Sequence, residues 1–331
     1  MNLEKWNEYH QNQTERDVSK LLHLFDEVLK MVVMYYGLQT IKDEFFSFTL
    51  YPVLNNKVKS LFEKFNNVFS QKMNYCIDKH YQLSKDKFKD VFTNIHHSQK
   101  GEDTLQSLVM KEKKRMLSGK VWNLTQQYRT EIEMALDVAI HEGTPANQLT
   151  SVLKKYLQNP DTLFRKYRDK NGILQLSQKA KEYRSGQGVY RSAYKNAERL
   201  ARTEINIAYR TADIERWQSM DMIVGYEIKR SKHPHGCEIC DMMKGIYPKS
   251  FVWVGNHPNC RCYMTPVFKK DIAGKEITIK NKLTEWISDN ENRITNAKGI
   301  PMFLWGIDNQ SKGVSQKVIQ AIQFFSKKKL P

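Results

Sequence analysis

The sequence predicts a mainly α-helical protein with a small zinc-stapled α+β subdomain. Three observations predict this fold class. Apolar residues recur every three or four positions through most of the N-terminal half, as on the buried face of amphipathic helices. From Val224 onward they alternate with polar residues, which is typical of half-buried strands. Four of the five cysteines lie between 237 and 262. We therefore expect long helices in the N-terminal half and short antiparallel strands around 223–279.

The composition indicates a folded chain. With 331 residues, the protein is long enough for two or three domains and a sizeable core. A hydrophobic content of 40% and an aromatic content of 11% are too high for a disordered chain. The first residues lack a basic segment followed by an apolar one, and the longest apolar run, Met31–Tyr36, is far shorter than the roughly 20 residues of a membrane span. We expect a soluble protein with no secretory signal and no membrane partner.

The net charge of +17 would attract DNA, RNA or an acidic protein surface, although it also suits simple solubility. The densest basic stretch runs from 161 to 200 and is the best candidate for phosphate contact. The candidate nucleic-acid-binding residues are Arg165, Lys166, Arg168, Lys170, Lys179, Lys181 and Arg184, and the stretch continues with Arg191, Lys195 and Arg199.

Two amphipathic helices are predicted first, over Val18–Tyr36 and Leu54–Cys76, with a break at Pro52 between them. Cys76 continues the apolar stripe of the second helix, so we expect an inert core thiol. From Tyr81 to about Lys120 the chain is polar and lysine-rich, which fits an exposed helix or a mobile connection.

A helical hairpin is predicted next. A stripe from Val121 to Ala139 marks a helix, which then meets Gly143-Thr144-Pro145. Glycine suits a left-handed C-terminal cap, threonine an N-cap and proline the first helical position. A second short helix should therefore start at Pro145 and end before Asn159-Pro160.

The last third combines one long helix with strands. A helix from about Val189 to Met220 carries alanines along one side, and Glu204 falls on that side, where a buried carboxylate needs a partner. We therefore interpret Arg202 and Glu204 as structural. The remaining predicted elements are strands at Val224–Ile228, Phe251–Val254, Arg261–Phe268 and, more weakly, Glu276–Ile279, then a helix at Val314–Phe325 that ends before Lys327-Lys328-Lys329.

The cysteine cluster predicts a structural zinc site. Cys237 and Cys240 form a C-x-x-C knuckle, and His257, Cys260 and Cys262 follow within a few residues of one another. These five candidate ligands can satisfy tetrahedral zinc, which accepts thiolate and imidazole. We favour Cys237, Cys240, Cys260 and either His257 or Cys262, while His233 and His235 are spare candidates. Reduced thiols without metal and disulfides are the alternatives. A closed four-ligand site leaves no position for an activated water, so no catalytic residue is assigned.

A series of short motifs resembles the Mu F-like phage head morphogenesis family. The motifs are Ala201-Arg202-Thr203-Glu204 on the long helix, Gly225-Tyr226-Glu227, Cys237-x-x-Cys240, Gly245 and His257-Pro258-Asn259-Cys260-Arg261-Cys262. The Gly-Thr-Pro punctuation and the helix after it are similar to the stretch that opens the same domain.

The resemblance covers about half of the chain, a head morphogenesis domain at 121–268. The unmatched parts are an N-terminal helical region at 1–120, with a possible portal-binding surface, and a C-terminal extension at 269–331 that ends in a helix. What it implies for function is a non-enzymatic minor capsid protein of the virion, assembled in the bacterial cytoplasm. The implied partners are the portal protein, possibly the major capsid or scaffold protein, and packaged double-stranded DNA.

Three other functions compete with this interpretation. An HNH-like nuclease would use His257 as a general base beside a catalytic metal, but no second His or Asn cluster is present to hold that metal. ADP-ribosyl transfer through Arg202 and Glu204 would need a strand and a turn that one continuous helix cannot supply. A zinc-stabilised DNA or RNA binder unrelated to phage heads would account for the basic charge.

Overall fold

The fold is mainly helical, as predicted. The computed structural model describes residues 1–37, 46–92, 102–158, 167–168, 171, 174–175, 192–231, 236–249, 251, 253–272, 287–295 and 315–321. Within these ranges, no helix combines the length and apolarity that a membrane span requires. The long helices are α1 (Leu3–Gly37), α2 (Pro52–Val91), α3 (Glu102–His141), α4 (Ala146–Gln158) and α5 (Ala193–Gln218).

The chain forms two compact units, each assembled from separated stretches. The sheet unit comprises Met1–Thr14, Ile77–Ser98 and Arg202–Pro331, and the helical unit comprises Glu15–Cys76 and Gln99–Ala201. Both α1 and α2 contribute residues to each unit, because the helices are longer than their apolar stripes indicated. No proline or glycine interrupts α1 before Gly37 or α2 after Pro52, so the polar residues beyond each stripe continue the helix. The predicted regions 1–120, 121–268 and 269–331 remain a division made from the sequence.

The core of the helical unit is aromatic. The Phe25 ring lies 5.0 Å from the Phe65 ring and 4.5 Å from the Tyr128 ring, centre to centre. The buried Tyr128 hydroxyl donates to the Phe25 carbonyl oxygen over 2.6 Å, which satisfies its one polar group. Cys76 is buried, as expected for a core thiol.

The hairpin between α3 and α4 has the predicted form. Gly143 adopts φ 63°, the left-handed conformation that glycine tolerates best, and the Thr144 N–H donates to the Ala139 carbonyl over 2.9 Å. Helix α4 then buries Leu149 and Leu153 on its apolar face. The left-handed Gly143 therefore ends α3, and Pro145 directly precedes the first residue of α4.

Three antiparallel strands form the sheet of the sheet unit. The central strand is β3 (Ile223–Lys229), and β4 (Gly245–Pro248) and β5 (Tyr263–Phe268) pair with its two edges. The strand predicted at Phe251–Val254 is wrong. Instead, Gly245–Pro248 forms the strand that pairs with this edge of β3. Trp253 is buried outside any strand, and the Val254 carbonyl accepts a hydrogen bond from the Arg210 side chain. The weaker candidate at Glu276–Ile279 lies outside the described residues.

Two smaller differences from the sequence prediction concern the basic stretch and the C-terminal helix. A two-residue strand pair, β1 (Tyr167–Arg168) with β2 (Leu174–Gln175), falls in the basic stretch, where no strand was predicted. Of the predicted C-terminal helix, residues 316–321 are helical, and Val318 and Ile319 are buried. The remainder of that helix and the lysines after it lie outside the described residues.

Buried polar side chains link three helices inside the sheet unit. His10 of α1 contacts the His80 ring nitrogen over 2.9 Å and the Asn206 amide oxygen over 2.9 Å, and its ring stacks on Tyr209. Lys87 of α2 pairs with Asp213 of α5, and both side chains are almost fully buried. Removing one member of such a buried pair would leave an uncompensated charge. These contacts therefore fix the register of the three helical segments.

Replacing Gly225 with alanine should destabilise the sheet. A Cβ atom at this position would lie 2.2 Å from the Tyr247 carbonyl oxygen on β4. We expect a loss of about 1–3 kcal/mol of unfolding free energy, the usual cost of overpacking. Gly119→Ala is the control, because nothing lies within 4 Å of its Cβ and it should gain about 1 kcal/mol of helix propensity. Denaturant titration measures both, and equal stability of Gly225→Ala and the wild type would contradict the strand pairing.

Acidification should destabilise the sheet unit through His10. Burial, followed by the neighbouring His80, lowers the pKa of His10 well below its ordinary value. As the pH falls, His10 is protonated in the unfolded state before it is protonated in the folded state. The unfolding free energy therefore has its full value above about pH 6.5 and decreases as the pH drops toward the folded pKa of His10. Between pH 7.5 and 5.5 we expect a loss of about 1.4 kcal/mol from this group.

The measurement is denaturant titration at both pH values. His10→Gln should reduce the difference in unfolding free energy between pH 7.5 and pH 5.5 by the loss assigned to His10. His23 is an exposed histidine on the same helix, and His23→Gln should leave that difference unchanged. An unchanged difference in His10→Gln would show that another group causes the pH dependence.

Candidate metal centre

The five candidate ligands meet in the hydrophobic core of the sheet unit. Cys237 and Cys240 bracket the start of a short helix, α6 (Glu238–Met242), whose Asp241 N–H donates to the Cys237 carbonyl. The other three follow in the loop that leads into β5. The ligand atoms form two overlapping groups, each within 4.8 Å, which are Cys237, Cys240 and His257, and Cys240, Cys260 and Cys262. Cys240 is the shared member and therefore joins the two groups.

His257 presents Nε2 to the sulfurs. Its Nδ1 lies 2.8 Å from the Pro258 carbonyl oxygen. A carbonyl can only accept, so Nδ1 carries a proton and Nε2 is the nitrogen that could bind a metal ion. That nitrogen lies 3.4 Å from Cys237 Sγ and 3.2 Å from Cys240 Sγ. A second ring nitrogen bonded to a backbone carbonyl is the usual arrangement of a metal-ligating histidine.

The three clustered thiols do not ionise independently. Hydrogen bonds from Cys240 and then Cys262 lower the pKa of Cys260 well below its ordinary value, and the Arg210 guanidinium acts in the same direction. The same contacts raise the pKa of Cys240, mainly through Cys260, and raise the pKa of Cys262, mainly through Cys240. A divalent ion would favour the thiolate form of each cysteine that it binds and release the proton.

Helix α5 holds the ligand loop from one side. Arg202, which is buried, donates to the Asn259 side-chain oxygen over 2.6 Å, and the Thr203 hydroxyl accepts the Asn259 backbone N–H over 2.8 Å. Asn259 has φ 67°, a left-handed conformation that asparagine tolerates better than most residues. This turn sits between His257 and Cys260, and the Cys260 N–H donates to the His257 carbonyl.

Two more residues of α5 bind the loop backbone. The Asn206 amide donates to the Cys260 carbonyl over 3.1 Å. The Arg210 guanidinium donates to the carbonyls of Cys260 and Cys262 over 2.7 Å each and to that of Val254 over 2.8 Å. Each carbonyl lies in an irregular segment with no strand partner to bond it. The helix therefore satisfies buried polar groups that the loop cannot satisfy itself.

The cluster offers sulfur and imidazole donors, and two of its separations match those of a tetrahedral metal site. Zinc–sulfur and zinc–nitrogen bonds of about 2.3 and 2.0–2.1 Å in a tetrahedron place sulfur and nitrogen about 3.5 Å apart. The separations of His257 Nε2 from the two knuckle sulfurs, 3.4 and 3.2 Å, are close to that value. The buried Asn256 amide nitrogen has no nitrogen or oxygen partner. Cys260 raises the pKa of the Cys240 thiol, and a smaller effect of the Asn256 side chain lowers it. The cluster could thus hold a metal ion.

The other predicted site residues have varied placements. Glu204 is only partly buried, so the expected buried carboxylate is not present, because the buried polar face of α5 runs instead through Arg202, Asn206 and Arg210. Lys195 forms an ion pair with Glu198 over 3.6 Å. Backbone alone is described at Arg168. Outside the described residues lie His233, His235, Arg165, Lys166, Lys170, Lys179, Lys181, Arg184 and Arg191.

Sequence reasoning missed Asn206 and Arg210. Arginine and asparagine in a helix usually face solvent, so neither stands out in the sequence. The available signal was their spacing, since Arg202, Asn206 and Arg210 recur every four residues beside the buried alanines. Such a row lies on one helix face.

Comparisons with known proteins add no relative. The chain matches no family model, and searches of curated proteins and of solved structures return no match. The fold and the site themselves define the class, which is a mainly helical protein whose small antiparallel sheet carries a Cys/His cluster able to hold a metal ion.

Replacing Cys240 with serine should unfold the ligand region locally. Cys240 belongs to both ligand groups, so its loss breaks each of them. We expect amides between 223 and 268 to exchange hydrogen about ten-fold faster or more, since 1.4 kcal/mol of local stability is a factor of ten. A strong chelator should have the same effect on the wild type and on Cys76→Ala, whose thiol lies outside the cluster, but add little to Cys240→Ser. Chelator-independent exchange in the wild type would contradict metal-dependent folding.

Proposed function

We propose that the chain is a minor head protein of a tailed phage or prophage, of the Mu F-like head morphogenesis class. The observation that carries the proposal is the contact between two distant motifs of the resemblance. Arg202 and Thr203 belong to the helical motif, and both are hydrogen-bonded to Asn259 of the His-Pro-Asn-Cys-Arg-Cys motif. Motifs that lie more than fifty residues apart therefore belong to one structural element.

The proposed metal is zinc, and its role is structural. Four sulfurs and one imidazole make a soft donor set that suits zinc among the divalent ions. Five donors can saturate four positions, so zinc would have no open position at which to activate water. When bound, the ion would crosslink the α6 turn to the loop before β5. The sheet of three short strands would gain from this crosslink much of the stability that its small core lacks.

The contacts of the candidate catalytic residues support a non-enzymatic role. Both His257 nitrogens are engaged, one by the Pro258 carbonyl and one by the cysteine sulfurs, which leaves no nitrogen to act as a nuclease base. Arg202 is buried and bonded to Asn259, which argues against contact with a nucleotide substrate. In a head protein these residues would serve to hold the fold.

The proposed partners are the portal protein, the major capsid or scaffold protein, and packaged double-stranded DNA. The net charge of +17 supports contact with DNA, since each phosphate neutralised by lysine or arginine releases a counterion. A zinc-stabilised nucleic-acid-binding protein unrelated to phage heads would share this feature. The two differ in where the protein is found, because only the head protein is built into particles.

Quantitative mass spectrometry of purified particles tests the proposal. The chain should be present in a few copies per particle relative to the portal and major capsid subunits, in mature heads or in assembly intermediates. Particles complemented with Cys76→Ala should contain the wild-type amount and those complemented with Cys240→Ser markedly less, because misfolded protein is not incorporated. Absence from both mature particles and intermediates would overturn the head-protein proposal and favour the free nucleic-acid-binding alternative.

A further inference from the structure

The ligand loop depends on a row of hydrogen-bond donors on α5. Arg202, Asn206 and Arg210 are spaced four residues apart, all three are buried, and each donates to the segment 254–262. This segment contains His257 and Cys260 and forms no strand. The positions of those ligands are therefore set by side chains of a helix that supplies no ligand itself.

Arg210 is the member of the row that no other residue type can replace. One guanidinium bridges three carbonyls, those of Val254, Cys260 and Cys262, and its plane lies 4.7 Å from the Trp253 ring. A planar fork can make these bonds together, whereas an ammonium group is a compact point charge. The fit is also close, since a Cβ at Gly255 would lie 2.6 Å from Arg210 Nη1.

The loop that Arg210 binds carries three of the five candidate ligands. His257 Nε2 lies 3.4 Å from Cys237 Sγ and 3.2 Å from Cys240 Sγ, while Cys260 and Cys262 form the second group with Cys240. A shift of this loop would therefore move donors of both groups.

We propose that Arg210 is a positioning residue of the metal centre, which holds the loop that carries His257, Cys260 and Cys262 through its bonds to three backbone carbonyls. The proposal rests on the metal centre proposed above and specifies the residue that supports its ligands.

Zinc affinity of the full-length chain, measured by competition with a chromophoric chelator, tests the role of Arg210. Arg210→Gln should bind zinc about 10–100-fold more weakly, the usual effect of removing a group that supports metal ligands. Arg210→Lys should recover part of the loss, because it restores the charge without the three-carbonyl bridge. Lys249→Gln is the matched control, since Lys249 also bonds a backbone carbonyl, that of Met220, and its loss should leave the affinity unchanged.

Cobalt substitution adds a readout that a purely structural residue would not change. Removing the positive charge beside the thiolates raises the energy of their electrons. The thiolate-to-cobalt charge-transfer band of Arg210→Gln should therefore move to lower energy, while that of Lys249→Gln should not move. Arg210→Lys is the variant to use if Arg210→Gln does not fold, and its band should stay near the wild-type position. An unchanged affinity and an unchanged band in Arg210→Gln would overturn the proposal.

The zinc affinity of the wild type separates the failure of this inference from the failure of the metal centre. A wild type that binds zinc as tightly as Arg210→Gln would overturn only the role of Arg210. A wild type that binds no zinc would instead overturn the metal centre itself, and this inference with it.

Discussion

The hydrogen bonds from Arg210 to the loop before β5 are the interaction on which the rest of the site depends. This loop must turn back twice to bring His257 and Cys260 to the knuckle on α6, and it does so without strand pairing. Its buried carbonyls need donors, and one guanidinium supplies three of the bonds. The left-handed turn at Asn259 is held by the same helix through Arg202 and Thr203. Helix, loop and ligands thus form one cooperative unit.

Local features of the sequence were sufficient to predict most of the helices and the members of the cluster. Gly143 predicted a helix end because its conformational freedom is a property of the residue itself, and the cysteine pairs predicted a metal site because their spacing is short. The strand at Gly245–Pro248 was missed, since its four residues depend on pairing with β3 and Phe251–Val254 has the stronger apolar pattern. Arg210 could not be found in the same way, because its partners lie more than forty residues further along the chain.

The proposed head-protein function and the proposed zinc centre are linked by the same contacts. The motifs that resemble the head morphogenesis family include the residues of α5 and of the ligand loop that bond to each other. The two motifs would occur together in one fold because each supplies hydrogen-bond partners to the other. A buried centre of this kind supplies stability to a small sheet and needs no catalytic residue, which suits a protein that is assembled into a particle.

Native mass spectrometry of the purified full-length chain tests the central claim, that the cluster is a structural metal centre, most directly. The mass should exceed that of the polypeptide by one zinc ion per chain, and the thiols of the cluster should resist alkylation until the ion is removed by a strong chelator. A chain that is folded, carries no metal after purification in zinc-containing buffer, and has readily alkylated cluster cysteines would contradict the account.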